Sequence, residues 1–154
     1  MDKLVKTLIK NNKTIATMES CTGGGIANAI TNIEGAREVL KYSAVTYSNE
    51  YKIKMGVSEE VISKYSVYSI EVAREMAFNI SKFADSDYGI GVTGKLNRVD
   101  KFNHFGSDNT VFVSVYKKAN NQFYDMTIEA NKSSRKENKA VIIDKVKYKV
   151  LELI

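Results

Sequence analysis

The stretch that most constrains the fold is a strand, a glycine-rich turn and a helix in immediate succession. Residues 13–18 are small and β-branched, which is typical of a short buried strand. Three glycines at 23–25 follow, and glycine permits a sharp turn at that point. Apolar residues then recur at helical spacing, at Ile26, Ala27, Ala29, Ile30 and Ile33. The pattern predicts a helix over about 24–33 that begins at the glycines.

Ser20 lies in this turn, at the point where the helix begins. The first N–H groups of a helix have no partner inside it, and the helix dipole places partial positive charge there. A hydroxyl beside such donors is what an acyl-transfer nucleophile requires, because the donors form an oxyanion hole. A phosphate site uses the same donors, and many glycine-rich turns are only turns. The turn alone leaves these three interpretations open.

The rest of the chain alternates strands and helices early and forms a hairpin late. Further strands are predicted over 42–47, 88–93, 110–116 and 123–128. Further helices are predicted over 2–12, 50–55, from 58, over 69–83, and from 133 or 134 onward, with a short turn or helix over 36–40. We expect Asn49 to cap the helix 50–55, and Phe83 to belong to the apolar stripe of the helix 69–83. This order predicts an α/β fold: a single-domain sandwich over 1–154, with a mixed sheet flanked by helices.

Composition excludes several classes of protein. No apolar run approaches about 18 residues, so no membrane span is expected. The amphipathic start at residues 1–6 is unlike a signal peptide, and the lone Cys21 excludes an internal disulfide, so we expect a cytoplasmic protein. The net charge of +5 comes from scattered lysines, which favours a solubilising surface over nucleic-acid binding. No clustered ligands indicate a metal site, and no cofactor is expected.

Serine needs a base, and the sequence offers few. The single histidine, His104, lies in an irregular polar loop over 95–109, so a Ser-His-Asp triad would depend on that loop. Lys52 is the other candidate, provided that burial or a neighbouring cation lowers its pKa. Tyr47 ends a predicted strand and can relay a proton beside Lys52, at the carboxyl ends of the sheet. Spacing alone fits a solvated helix lysine better, so the role of Lys52 stays open at this point.

Several motifs, in this order and spacing over nearly the whole chain, resemble the CinA C-terminal domain family. They are Glu19-Ser20-Cys21-Thr22-Gly23-Gly24, Tyr47-Ser48-Asn49-Glu50-Tyr51-Lys52, Met55-Gly56-Val57, residues 69–77 and Val92-Thr93-Gly94. Stand-alone members of that family are nicotinamide-nucleotide amidases, and full-length members carry an N-terminal pyrophosphatase-like domain that 154 residues do not accommodate. The resemblance implies hydrolysis of the carboxamide of nicotinamide mononucleotide (NMN) to nicotinate mononucleotide and ammonia, without a metal or redox cofactor. It also implies a homo-oligomer.

The resemblance implies roles for particular residues. Ser20 is the expected nucleophile, Lys52 its base and Tyr47 an assisting residue. The expected substrate-binding residues are Cys21, Thr22, Gly23, Gly24, Asn49, Thr93 and Arg135. Arg135, together with Lys41, is a candidate for the substrate phosphate, because the planar guanidinium matches phosphate oxygens. Cys21 is a rival nucleophile, although a small packed residue beside the turn is the favoured interpretation.

The chain departs from the family in two places. After Val92-Thr93-Gly94 the family continues with a glycine- and proline-rich loop, whereas residues 95–109 here are bulky and polar. Ser133-Ser134-Arg135 stands where Gly-Asp-Arg is usual, and Lys139 stands where a second arginine is common. Two interpretations follow: an active amidohydrolase, which we favour, or a diverged relative that binds a nucleotide or acts as a competence- or damage-related regulator.

Overall fold

The computed structural model describes all 154 residues and has the predicted α/β architecture. The elements in chain order are α1 (Asp2–Lys10), β1 (Ile15–Glu19), α2 (Gly25–Thr31), α3 (Ala36–Val39), β2 (Leu40–Val45), α4 (Asn49–Lys54), α5 (Glu59–Tyr65), α6 (Ile70–Ala84), β3 (Tyr88–Gly94), β4 (Thr110–Lys117), β5 (Gln122–Glu129) and α7 (Arg135–Leu153). A 3₁₀ turn at Lys118–Asn120 joins β4 to β5. No helix combines the length and apolar character that crossing a membrane requires.

The five strands form one mixed sheet, as predicted, in the order β2-β1-β3-β4-β5. The first three of these strands are parallel, β4 pairs antiparallel with β3, and β5 pairs antiparallel with β4. Glu19 at the end of β1 lies opposite Val45 on one side and Val92 on the other. The carboxyl ends of β1, β2 and β3 therefore meet at one edge of the sheet, where open α/β folds place ligands.

Helices cover both faces of the sheet. On one face α1, α2, α3 and α7 enclose the larger core, which includes Leu4, Leu8, Ile26, Ile30, Ile142 and Val146. On the other face α6 packs over a smaller core that includes Met18, Val72, Met76 and Ile80. Full burial of each such side chain stabilises the fold by about 1.5–3 kcal/mol. The two cores hold the sheet, and with it the edge at Ser20, in a fixed position.

Helix α6 lies unusually close to β3. A Cβ atom on Gly91 would lie 2.1 Å from the carbonyl oxygen of Ala73, and one on Gly89 would lie 2.0 Å from that of Ala77. Both glycines face the helix because residues two apart share a face of a strand. Only glycine fits at these two positions. The close contact therefore fixes the position of β3 relative to α6, and with it the start of the loop that follows β3.

Three local predictions are wrong. Ser48, not Asn49, caps α4 by accepting a hydrogen bond from the Tyr51 N–H, because Asn49 already lies inside the first turn. Phe83 is 64% exposed and packs on Tyr42, because the last turn of α6 extends beyond the core. The strand predicted over 42–47 is displaced toward the N-terminus: β2 spans Leu40–Val45, because Leu40 already pairs with Ile15, and Tyr47 lies outside it.

Candidate active site

Ser20 and Lys52 meet at the carboxyl edge of the sheet. The Ser20 N–H donates to the Val92 carbonyl at 3.0 Å, which ties the first residue after β1 to β3. Lys52 Nζ lies 3.1 Å from Ser20 Oγ and donates to the Thr46 carbonyl at 2.7 Å. Ser20 is 7% exposed and Lys52 is 2% exposed. The structure therefore brings the hydroxyl and the amine together in a largely water-excluded place.

Burial changes the acidity of Lys52. Its pKa falls from 10.5 to about 8, because the charged ammonium loses its hydration inside the protein. The charge of Asp100 acts in the opposite direction and favours the protonated amine. With that pKa, about a quarter of Lys52 is neutral at pH 7.5. A neutral amine at hydrogen-bond distance from a hydroxyl is competent as a general base.

A carboxylate from the end of β1, that of Glu19, occupies the start of α2. Glu19 Oε2 accepts from the Ile26 N–H at 3.0 Å, and Oε1 accepts from the Ala27 N–H at 2.9 Å. The carboxylate also offsets the positive end of the helix dipole. The N–H groups of Ile26 and Ala27, in the first turn of α2, are therefore not available to a substrate oxygen. Glu19 is fully buried and acts as a cap from outside the helix.

The turn itself retains hydrogen-bond donors. The N–H groups of Cys21, Thr22 and Gly24 make no hydrogen bond within the chain, whereas that of Gly23 donates to the Ser20 carbonyl at 2.9 Å. Gly23 and Gly24 have φ of +61° and +85°, so the turn depends on glycine. Three backbone donors thus lie within four residues of Ser20, close enough in sequence to serve as an oxyanion hole for its reaction.

Cys21 lines the pocket but is not a competent nucleophile. Its side chain is 4% exposed, and burial raises the pKa of the thiol to about 12. The thiolate that would attack a carbonyl is therefore almost absent at neutral pH. This agrees with the favoured interpretation of Cys21 as a packed residue.

Tyr47 and Arg135 form the rim of the pocket. Tyr47 is 64% exposed, and its hydroxyl oxygen accepts from Arg135 Nη2 at 3.2 Å. The hydroxyl makes no hydrogen bond to Ser20 or Lys52, so Tyr47 orients Arg135 instead of contacting the base. Lys139, one turn further along α7, places Nζ 3.3 Å from the position of a Cβ on Gly23.

Of the other predicted residues, only Asn49 lines the pocket. Its side chain donates to Asn103 Oδ1 at 3.2 Å. Thr93 lies behind the wall, fully buried, where its hydroxyl donates to the Val67 carbonyl at 2.9 Å. Lys41 lies near the start of β2, and His104 lines a second, smaller pocket, so neither reaches the Ser20 site.

The loop over 95–109 forms one wall of the pocket, which has a volume of about 580 Å³. Its contributions are Lys95, Leu96, Arg98, Val99, Asp100, Phe102 and Asn103. Lys95 is 3% exposed, pairs with Asp108 at 3.1 Å and lies 5.2 Å from the Tyr68 ring. Sequence reasoning missed these residues and Tyr68, because a loop without periodicity gives no signal of which side chains turn inward.

Comparison with known proteins gives consistent matches. Residues 1–150 match the model of the CinA C-terminal domain family. The CinA-like protein of Endomicrobium trichonymphae is 49% identical over 90 residues, which are 58% of this chain and 21% of that protein. The CinA-like protein of Kosmotoga olearia is 45% identical over 92 residues, or 59% of this chain and 22% of that protein. The chain thus spans about a fifth of the length of the curated relatives that it matches.

Solved structures share the fold. A competence-damaged protein (CinA) superfamily protein from Escherichia coli superposes with a TM-score of 0.86 at 27% identity, covering 99% of this chain and 87% of that one. A CinA superfamily protein from Klebsiella pneumoniae 700603 gives a TM-score of 0.89 at 21% identity, covering 98% and 92%. The second likeness is one of fold alone.

Proposed function

This chain belongs to the CinA C-terminal domain family, and from that premise we propose that it is an amidohydrolase that converts NMN to nicotinate mononucleotide and ammonia. The observation that carries the proposal is the 3.1 Å contact between Lys52 Nζ and Ser20 Oγ inside a pocket of about 580 Å³. A buried amine of lowered pKa beside a hydroxyl is the arrangement of a serine–lysine dyad. The pocket volume suits a ligand of mononucleotide size.

The first half of the reaction forms an acyl-enzyme. Neutral Lys52 accepts the Ser20 proton while Oγ attacks the carboxamide carbon, and negative charge develops on the carboxamide oxygen. We assign the stabilisation of that oxyanion to the backbone N–H groups of Cys21, Thr22 and Gly24, which have no hydrogen-bond partner within the chain. Protonated Lys52 then gives its proton to the leaving nitrogen. The C–N bond breaks, ammonia departs, and an ester to Ser20 remains.

The second half regenerates the enzyme. Neutral Lys52 takes a proton from water, and the hydroxide oxygen attacks the ester carbon. The C–Oγ bond breaks, Ser20 recovers its proton from Lys52, and nicotinate mononucleotide is released. In both halves the bond from Lys52 to the Thr46 carbonyl fixes one N–H and holds the amine nitrogen beside Ser20.

Arg135 and Lys139 are the side chains that we assign to the substrate phosphate. Both project from one side of α7 toward the Ser20 turn, and the charge of each lowers the pKa of Cys21. Arg135 donates to Tyr47 and forms no ion pair within the chain, and Lys139 forms none either. A guanidinium and an ammonium in this arrangement match phosphate oxygens.

The loop over 95–109 supports a second candidate function. It supplies seven residues of the pocket wall in a segment that differs from the family pattern. The alternative is therefore a diverged protein that binds a nucleotide in a regulatory role without turning it over. Nucleic acid is a weaker candidate partner, because the lysines are scattered. We also propose that the protein forms a homo-oligomer. Analytical ultracentrifugation, which measures the mass of the particle in solution, tests this.

The deciding experiment combines an ammonia assay with calorimetry on purified protein and NMN. We expect ammonia release that falls at least about 1,000-fold in Ser20→Ala and in Lys52→Met. Lys54→Met is the matched control, since Lys54 lies on the same helix but pairs with Glu50 at the surface. Full activity of Ser20→Ala would exclude the assigned nucleophile. Binding of NMN without ammonia release by the wild-type protein would favour the binding function.

A further inference from the structure

Asp100 is the only carboxylate among the residues that line the main pocket. The cationic side chains there are Lys52, Lys95, Arg98 and Arg135. Lys95 pairs with Asp108, but Asp100 itself forms no ion pair. Because no cation within the chain pairs with Asp100, its charge is available to a ligand in the cavity.

Hydrogen bonds hold this carboxylate in place. The Tyr68 hydroxyl donates to Asp100, the Phe102 N–H donates at 2.9 Å, and Asn103 Nδ2 donates at 3.1 Å. Together these donors hold the pKa of Asp100 below its usual value, against the opposing effect of burial. Asp100 is thus a fixed anion at neutral pH, and not a mobile surface group.

A chain of contacts connects Asp100 to the catalytic side of the pocket. Asn103 accepts from Asn49 on α4, the helix that carries Lys52, and donates to Asp100. Asp100 lies beyond ion-pair distance of Lys52, yet its charge still raises the pKa of that amine. The two groups therefore face the same cavity with space between them.

We propose that Asp100 selects a carboxamide whose ring carries a positive charge, of the N-substituted pyridinium class, over a neutral ring of the same shape. The inference rests on the proposed amidase function and deepens it. The ring lies between the carboxylate and the dyad, so that its charge faces Asp100 while the carboxamide faces Ser20.

The test compares NMN with its 1,4-dihydropyridine form, which keeps the ribose and the phosphate but has an uncharged ring. Binding is measured by calorimetry in Ser20→Ala, so that turnover does not interfere. We expect NMN to bind at least tenfold more tightly than the dihydro form. Adding Asp100→Asn should reduce that ratio to within about twofold of unity, because the isosteric amide keeps an oxygen for Tyr68 but loses the charge.

Two further variants make the result decisive. Glu50→Gln removes a carboxylate from α4 outside the pocket and should leave the ratio unchanged. Asp100→Ser repeats the comparison if the Asn variant does not fold. An unchanged preference after the charge is removed, or equal binding of both rings, overturns the inference while ammonia release still supports the amidase. Absence of both binding and ammonia release overturns the amidase and the inference together.

Discussion

Lys52 Nζ lies 3.1 Å from Ser20 Oγ, although 32 residues separate them in sequence. Two independent tethers produce this contact. The Ser20 N–H is bound to β3, and the Lys52 side chain is bound to the carbonyl of Thr46, the residue that follows β2. Because both tethers are backbone groups at the carboxyl edge of the sheet, the fold itself sets the distance between the hydroxyl and the amine.

The pH dependence of activity should report the Lys52 amine. Burial lowers its pKa to about 8, and only the neutral form accepts the Ser20 proton. We expect kcat/KM for NMN to rise about tenfold per pH unit below pH 8 and to level off above it. Measurement of ammonia release between pH 6 and 10 tests this. An acid limb that levels off near pH 6 would contradict Lys52 as the base.

Replacement of Lys52 should stabilise the protein. The folded-state pKa of about 8 lies below the value of 10.5 for the unfolded chain, so the buried charge costs about 3 kcal/mol at pH 7. Loss of the bond to Thr46 offsets about 1 kcal/mol of that. We expect Lys52→Met to raise the free energy of unfolding at pH 7 by about 2 kcal/mol.

The sign of the pH effect provides the check. Well below pH 8, at pH 7 and lower, Lys52 is almost fully protonated in both states and nearly the full cost is present. Between pH 8 and 10.5 the unfolded chain binds more protons, so the wild-type protein gains stability as pH rises. Urea unfolding at pH 7 and pH 9.5 should therefore show a smaller advantage for Lys52→Met at the higher pH. An advantage that grows with pH would contradict the assigned burial cost.

Local signals predicted much of the fold but little of the pocket wall. The strand, the glycine turn and the serine caps at Ser58, Ser69 and Ser134 are recognisable from neighbouring residues. The burial of Lys52 is not, because a lysine on a short helix is ordinarily exposed, and only the resemblance to a family indicated its role. Asp100 was missed because nothing local distinguishes an inward-facing side chain in an aperiodic loop.

Glu19 illustrates the same limit inside a recognised motif. Its carboxylate caps α2 across seven and eight residues, a contact that no local capping pattern describes. We expect Glu19→Ala to lower the free energy of unfolding by about 3 kcal/mol, because one buried and one partly buried N–H group lose their acceptor. Glu19→Gln, which keeps one acceptor oxygen, should lose less. Denaturant unfolding measures both, with the exposed Glu34→Ala as control; a loss no larger than the control's would exclude the capping role.

The contact between α6 and β3 predicts a steric penalty at Gly91. A methyl group there meets the Ala73 carbonyl oxygen at 2.1 Å, so the helix must move away from the sheet. We expect Gly91→Ala to lower the melting temperature far more than Gly106→Ala. Gly106 has φ of +77° with open space around it, so alanine costs only the backbone strain, about 1–2 kcal/mol. Equal melting temperatures of the two variants would contradict the steric penalty and show that α6 can move away from β3 at little cost in stability.

Asp100 should also influence the base through its charge. The groups whose charge raises the pKa of Lys52 are Cys21 and Asp100, and the Cys21 thiol is neutral with a pKa of about 12. Removing the Asp100 charge therefore lowers the Lys52 pKa below about 8, and the acid limb of kcat/KM should move to lower pH in Asp100→Asn. Asp108→Asn is the matched control, since Asp108 pairs with Lys95 and does not act on Lys52. If the acid limb of kcat/KM did not move in Asp100→Asn, or moved equally in Asp108→Asn, the Asp100 charge would have no specific effect on the Lys52 pKa. Asp100 would then keep only its role in recognising the ring.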